Sequence, residues 1–234
     1  MKILALDSSA TVATVALFDD GKLLAEYTLN NGNTHSETLL PMVESMLRTY
    51  GISTDDIDLF ASTSGPGSFT GVRIGTATVK GLAFGTDKPC AEVSTLEAIA
   101  ENLSFAKGLI CPVMNARRGQ VYTALFRSDG ESLTRLMPDS AISIEELDGI
   151  LAEHGEAVSF AGDGYDITVK ALTKTKANVT PERLRHQSAA SVASVAYRMA
   201  LKGDTVSDTA LKVKYLRLSQ AERERLEAEK AKKN

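Results

Sequence analysis

Three stretches carry residue types that could do chemistry. Asp7 closes an apolar run and is followed by Ser8 and Ser9. In a phosphotransferase built of two lobes, a carboxylate there would face a nucleotide-bound metal. The glycine-rich D-x-G-T loop that goes with it is missing, because no glycine precedes Gly21. Asp7 can equally accept the N–H groups of its own turn. The second stretch is Ser64-Gly65-Pro66-Gly67-Ser68, set between an apolar run and a helical pattern. Such a loop can aim N–H groups at an anion, with Gly65, Gly67 and Ser68 as candidate contacts beside Asp7, Ser8 and Ser9. It is neither a Walker loop, since no lysine follows, nor G-x-G-x-x-G, since Thr70 stands at the third glycine. The third stretch is Arg117-Arg118-Gly119, a turn able to meet phosphate or a carboxylate.

Metal and nucleophile chemistry find less support. His35 has Leu39 where a helical ligand pair needs a second histidine. His154 and His186 lack ligand spacing, and no Ser-His-Asp or Cys-His set can be assembled. No metal site is expected.

The elements that would position these residues read as βββαβαβα, twice. Strands are expected at Lys2–Asp7, 12–18 and 23–29, with a hairpin signal at Asp19-Asp20-Gly21. Thr34 and Glu37 have capping-box spacing, and Gly51 ends the helix they open. Pro41 should kink that helix or delay its regular start. A strand at 59–63, the glycine loop, a helix from Gly71, a strand at 91–93 and a helix at 96–103 complete the first unit. The second repeats the order, from a strand at 108–114 to an alanine-rich helix at 189–201 that is apolar nearly all round. Residues 211–218 read as extended, and Ser219 and Glu222 open a charged helix over 220–230. A duplicated unit of this kind, with mixed sheets, is the α/β architecture of the actin–hexokinase–Hsp70 superfamily. The lobes are expected at 1–105 and 106–205, with 206–234 packing on the first.

The second helix carries Gly71, Gly75, Thr78 and Gly81 at spacings of three and four. Interior glycines cost about 1 kcal/mol each, so the stripe implies close approach by another backbone. A second chain is expected to supply it, with His35, Leu39, Val43 and Met46 adding contact from the first helix. On that reading Gly75→Leu leaves the chain folded but unpaired.

The 234 residues are 43% hydrophobic and 24% charged, with net charge −4 and pI near 5.5. That argues against nucleic-acid binding by a broad basic surface. No run of about 18 apolar residues occurs, so no membrane span is expected. No signal-peptide pattern opens the sequence, and Cys90 and Cys111 read as reduced buried thiols of a cytoplasmic protein.

Four runs resemble one family. LALDSSATVATVAL, THSETLLPMV, STSGPGSFTGVRIGTATVKGLAF and MNARRGQVY are similar to the TsaB family, also called YeaZ. The resemblance covers nearly the whole chain, and GPGSFTGVRIG is its most specific run. It departs at Asn115, where the family more usually has Asp, which removes a carboxylate from that turn. The resemblance implies a non-catalytic subunit in the formation of N6-threonylcarbamoyladenosine at position 37 of tRNAs reading ANN codons. It implies a heterodimer with TsaD, which holds the metal and transfers the group. TsaE joins them, and TsaC makes the donor. It also implies contact with tRNA only through the complex and no cofactor of its own. Without TsaD, the exposed surface of the two helices is expected to pair with itself as a two-fold dimer, and ATP or ADP at the interface with TsaD stays open. An ATPase or kinase of the same fold, and the peptidase of an older glycoprotease label, stay open as alternatives.

Overall fold

A computed structural model describes residues 1–217. The first half gives β1 (Lys2–Asp7), β2 (Ala13–Asp19), β3 (Lys22–Leu29), α1 (His35–Tyr50), β4 (Leu59–Gly65), α2 (Phe69–Ala83), β5 (Cys90–Ser94) and α3 (Thr95–Glu101). The second gives β6 (Gly108–Asn115), β7 (Gln120–Ser128), β8 (Leu133–Ser143), α4 (Ile144–Ala152), β9 (Val158–Ala161), α5 (Tyr165–Ala171), β10 (Ala177–Asn178) and α6 (Ala189–Leu201). Both halves are βββαβαβα, as the sequence pattern predicts. The sheets run β3-β2-β1-β4-β5 and β10-β9-β6-β7-β8, so β6 takes the place of β1 and β9 that of β4. Hairpins set β1–β2–β3 and β6–β7–β8 antiparallel, while helical crossovers make β1–β4–β5 and β6–β9–β10 parallel. This is a duplicated α/β architecture of two mixed sheets.

The period-2 alternation of β1 sends its side chains to two cores. Leu4 and Leu6 join Val15, Leu17 and Phe60 under Leu39, Val43 and Met46 of α1 and Val79 and Ala83 of α2. Ile3 and Ala5 point the other way, onto Val192, Ala193, Val195 and Ala196 of α6. The apolar character of α6 is thus satisfied by the first sheet, although chain order places the helix in the second half. Conversely, α3 packs Leu96, Ile99 and Ala100, with Leu103 just beyond its end, on Ile110, Met114, Ala124, Phe126 and Ala161 of the second sheet. The two exchanged helices meet between the sheets. Arg198 grips Glu101 with both terminal nitrogens, each 2.8 Å from a carboxylate oxygen. Ser191 Oγ donates to Asn102 Oδ1 at 2.6 Å.

Thr34 stands at the N-cap of α1, its N–H donating to Glu37 at 3.3 Å, and Gly51 closes the helix in a left-handed conformation. The helix runs unbroken across Pro41 from its first residue, so the proline does not delay its start. Beyond α6 the chain returns along the first sheet. Val206 and Cys90 exchange backbone hydrogen bonds, and Leu211 is buried in the α1–α2 core. Residues 211–217 follow without regular secondary structure, where an extended segment was expected. The charged helix expected over 220–230 lies outside the described residues.

Candidate functional site

Asp7 ends β1 fully buried. Its Oδ1 accepts the Ser9 N–H at 2.7 Å and the Thr63 hydroxyl at 3.0 Å, while Oδ2 has no hydrogen-bond partner. Burial raises the carboxyl above its ordinary value, against the opposing pull of the Ser9 and Thr63 donors and of nearby His35. A buried acid shifted upward destabilises the fold once it ionises. That cost is absent below the unfolded pKa near 3.8 and grows as pH rises toward the folded one. Asp7→Asn keeps an acceptor for Ser9 and removes the charge. Thermal melts are expected to place it about 2–4 °C above the parent near pH 7 and level with it near pH 3. Equal melting at both pH values would refute the buried-charge account.

The glycine loop between β4 and α2 lies on backbone of its own chain. A Cβ on Gly67 would stand 2.5 Å from the Ser9 carbonyl oxygen, and one on Gly71 would overlap the carbonyl oxygen of Ser8. On Gly65, held at φ +117°, it would overlap the carbonyl oxygen of Lys214. Ser68 N–H donates to Ser9 O at 2.7 Å, Ser8 Oγ to Gly71 O at 2.9 Å, and Lys214 N–H to Ser64 O at 2.7 Å. Ser68 Oγ caps α2 through Gly71 N–H at 3.3 Å. Three carbonyl oxygens therefore approach Gly65, Gly67 and the first-turn Gly71 of α2.

Five of the residues read as partner-facing, Leu39, Val43, Met46, Gly71 and Gly75, are corrected by their burial. Leu39, Val43 and Met46 are at most 1% exposed, because the apolar stripe of α1 packs on its own sheet. Gly71 and Gly75 face the Asp7–Ala10 turn, with a Gly75 Cβ at 2.8 Å from Ser8 Oγ, so the close neighbour is this chain. Thr78 is half-buried and donates to Ile74 O at 2.9 Å. His35 Nε2 bonds the Ala10 carbonyl at 2.7 Å. Only Gly81 keeps open space around it. Among the residues that α1 and α2 turn outward are Leu40, 53% exposed, Pro41, Glu44, Arg73, Ala77 and Gly81, with Phe84 just beyond at 78%.

The second sheet repeats the arrangement in altered form. Asn115 ends β6 as Asp7 ends β1. Its N–H donates to Asp163 Oδ1 at 3.0 Å, and its Oδ1 accepts from Arg117 N–H at 2.8 Å. Asp163 is raised by burial, with the Asn115 N–H and His186 pulling the other way. Burial pushes Cys90 up to about 11 and Cys111 to about 12, so neither thiol offers a thiolate nucleophile. Among the described residues no three His, Cys, Asp or Glu side chains cluster as metal ligands.

The Asp7 turn, the glycine loop and the start of α1 thus meet in one place, while the Arg117–Gly119 turn is tied to them through Arg217. A relative from Bacillus subtilis (strain 168), named tRNA threonylcarbamoyladenosine biosynthesis protein TsaB, is 37% identical over 162 residues, 69% of this chain and 71% of the relative. The chain belongs to the TsaB family. The TsaB of Escherichia coli (strain K12) is 40% identical over 131 residues, 55% of this chain and 56% of its own length. The family described as TsaD: tRNA N6-adenosine threonylcarbamoyltransferase also matches, over residues 22–225. The solved structure of YeaZ from Pseudomonas aeruginosa superposes with a TM-score of 0.79 at 27% identity, covering 92% of this chain and 99% of that one. The TsaB-like runs around Asp7, Gly71 and Arg117 are joined in space by residues 214–217. Sequence reading missed this segment as a partner of the loop, because backbone carbonyls leave no residue-type signal.

Proposed function

We propose that this chain is a non-catalytic subunit in making N6-threonylcarbamoyladenosine at position 37 of tRNAs that read ANN codons. Its partner would be TsaD, with TsaE joining the pair and ATP or ADP held at the interface with TsaD. Without TsaD the chain would pair with a second copy, and tRNA would be met within the complex, in the cytoplasm. The observation that carries the reading is the match to TsaB of Bacillus subtilis over 71% of that relative. The filled glycine loop supports it, since carbonyls of Ser8, Ser9 and Lys214 approach where a nucleotide-hydrolysing relative would want phosphate. The outward residues of α1 and α2, Leu40 and Phe84 foremost, are the surface this reading assigns to TsaD.

The test is tRNA modification in a purified system with each protein omitted in turn. Omitting this chain is expected to abolish product while TsaD, TsaE and the donor remain present. The chain alone is expected to transfer nothing and hydrolyse no ATP. Leu40→Glu with Phe84→Glu should abolish co-purification with TsaD at unchanged melting temperature. Full modification without the chain, or turnover by the chain alone that Asp7→Ala removes, would favour an ATPase or kinase instead.

A further inference from the structure

A cluster of arginines surrounds the segment that bridges the two lobes. Tyr215 stacks on Phe69 of α2, ring centroids 4.5 Å apart at 7°. Arg73 lies over both rings, at 5.7 and 5.5 Å, and its Nε donates to the Tyr215 hydroxyl at 2.6 Å. Arg217 reaches the β6–β7 turn, where Nη1 donates to Ala116 O at 2.9 Å. The next two residues of that turn are Arg117 and Arg118, both exposed and both left-handed, at φ 63° and 56°. Among the described residues, none of these four arginines has a carboxylate within ion-pair distance. Glu92, the acid beside the segment, is taken by Lys212 N–H at 2.5 Å and by Lys214 Nζ at 3.4 Å.

Four guanidinium groups without a carboxylate partner among the described residues, on a chain of net charge −4, are a focused positive patch, and Tyr215 adds an aromatic ring 44% exposed. Guanidinium groups bind phosphate through paired N–H donors, and an aromatic face accepts an unstacked base. A protein carboxylate would use the first feature and not the second. We infer that Arg73, Arg117, Arg118 and Arg217, with Tyr215, contact the phosphate backbone of RNA. The inference rests on the reading of this chain as a subunit serving tRNA, and it assigns the chain a direct share of the tRNA contact within that complex.

The test is fluorescence anisotropy of a labelled, unmodified tRNA transcript titrated with the complex of this chain and its TsaD, over a range of KCl. Arg117→Gly with Arg118→Gly suits the left-handed backbone, so the turn keeps its shape. That variant is expected to weaken binding about ten-fold and to lower the salt slope by about 2, one per lost phosphate contact. Lysine at both positions should keep most of the slope. Gel filtration follows assembly with TsaD in parallel. Weaker RNA binding by an intact complex supports the inference. Unchanged affinity and slope would overturn it. Lost assembly with TsaD would do so as well, since the arginines would then serve carboxylates of a protein, and so would displacement of tRNA by ATP alone. A complex that binds tRNA through the patch yet modifies none would sink the functional reading and leave the patch standing.

Discussion

Gly71→Ala is expected to cost the fold about 3 kcal/mol or more, lowering the melting temperature by roughly 6–12 °C. The new methyl would overlap the Ser8 carbonyl oxygen. That oxygen cannot retreat cheaply, because the Asp7–Ala10 turn is tied on both sides. Ser8 Oγ donates to Gly71 O at 2.9 Å, and Ser9 O accepts from Ser68 N–H at 2.7 Å. Gly75→Leu is expected to unfold the chain as well, reversing the expectation of a folded but unpaired variant. Gly75 is buried, and its first added carbon already stands 2.8 Å from Ser8 Oγ. The control is Gly81→Ala, on the same helix with nothing within 4 Å. It should raise stability by about 0.5–1 kcal/mol, the ordinary gain of alanine over glycine in an exposed helix interior. Thermal or urea unfolding of the three variants separates the cases. A Gly71→Ala protein that melts with the parent would show that the turn yields without cost.

The phase of α2 already held this distinction. At about 100° per residue, Gly71 and Gly75 lie within about 80° of Val79, while Gly81 lies about 160° away from it. The stripe was therefore two features. One is an inward pair that admits the Asp7–Ala10 turn, and the other is an outward glycine with no close neighbour. Spacing alone merged them. The element order was legible because hairpin signals, capping residues and apolar periods are all local. Thr34 with Glu37, Gly51 and the Asp19-Asp20-Gly21 turn each stand where those rules place them. The exchange of α3 and α6 was not legible. A helix apolar on most sides announces burial without saying against which sheet. Nor was the approach of residues 214–217 to the glycine loop, because Lys214 serves there through its backbone. Of the candidate site, the Asp7 turn and the loop were found by composition, and their mutual packing was not.

Asp148 was overlooked for a related reason, as an acid among others on an amphipathic helix, and its removal should be as costly as that of Gly71. It is 3% exposed, on the buried side of α4. Oδ2 accepts from Thr173 N–H at 2.7 Å, Thr173 Oγ1 at 3.0 Å and Lys174 N–H at 3.0 Å, and Oδ1 accepts from Thr175 N–H at 2.9 Å. The carboxylate thereby fixes the turn that leads from α5 to β10. Burial pushes its pKa up, but the donors of Thr173, Thr175 and Lys174 outweigh burial and hold it at about 2, below the ordinary 3.8. A depressed folded pKa means that the ionised form stabilises the fold. The contribution is complete above the unfolded value and is lost as pH falls from about 4 through 2. Asp148→Ala leaves three backbone N–H groups without their acceptor and should cost about 3–5 kcal/mol near neutral pH. Asp148→Asn keeps one acceptor oxygen and brings a donor against other donors, so it should cost about 2–3 kcal/mol. Both variants should also flatten the acid limb of the stability curve, since the group whose protonation weakens the fold is gone. Urea unfolding at pH steps from about 7 to 2 measures both effects. A parallel offset between variant and parent down to the lowest pH would mean that Asp148 acts through packing alone.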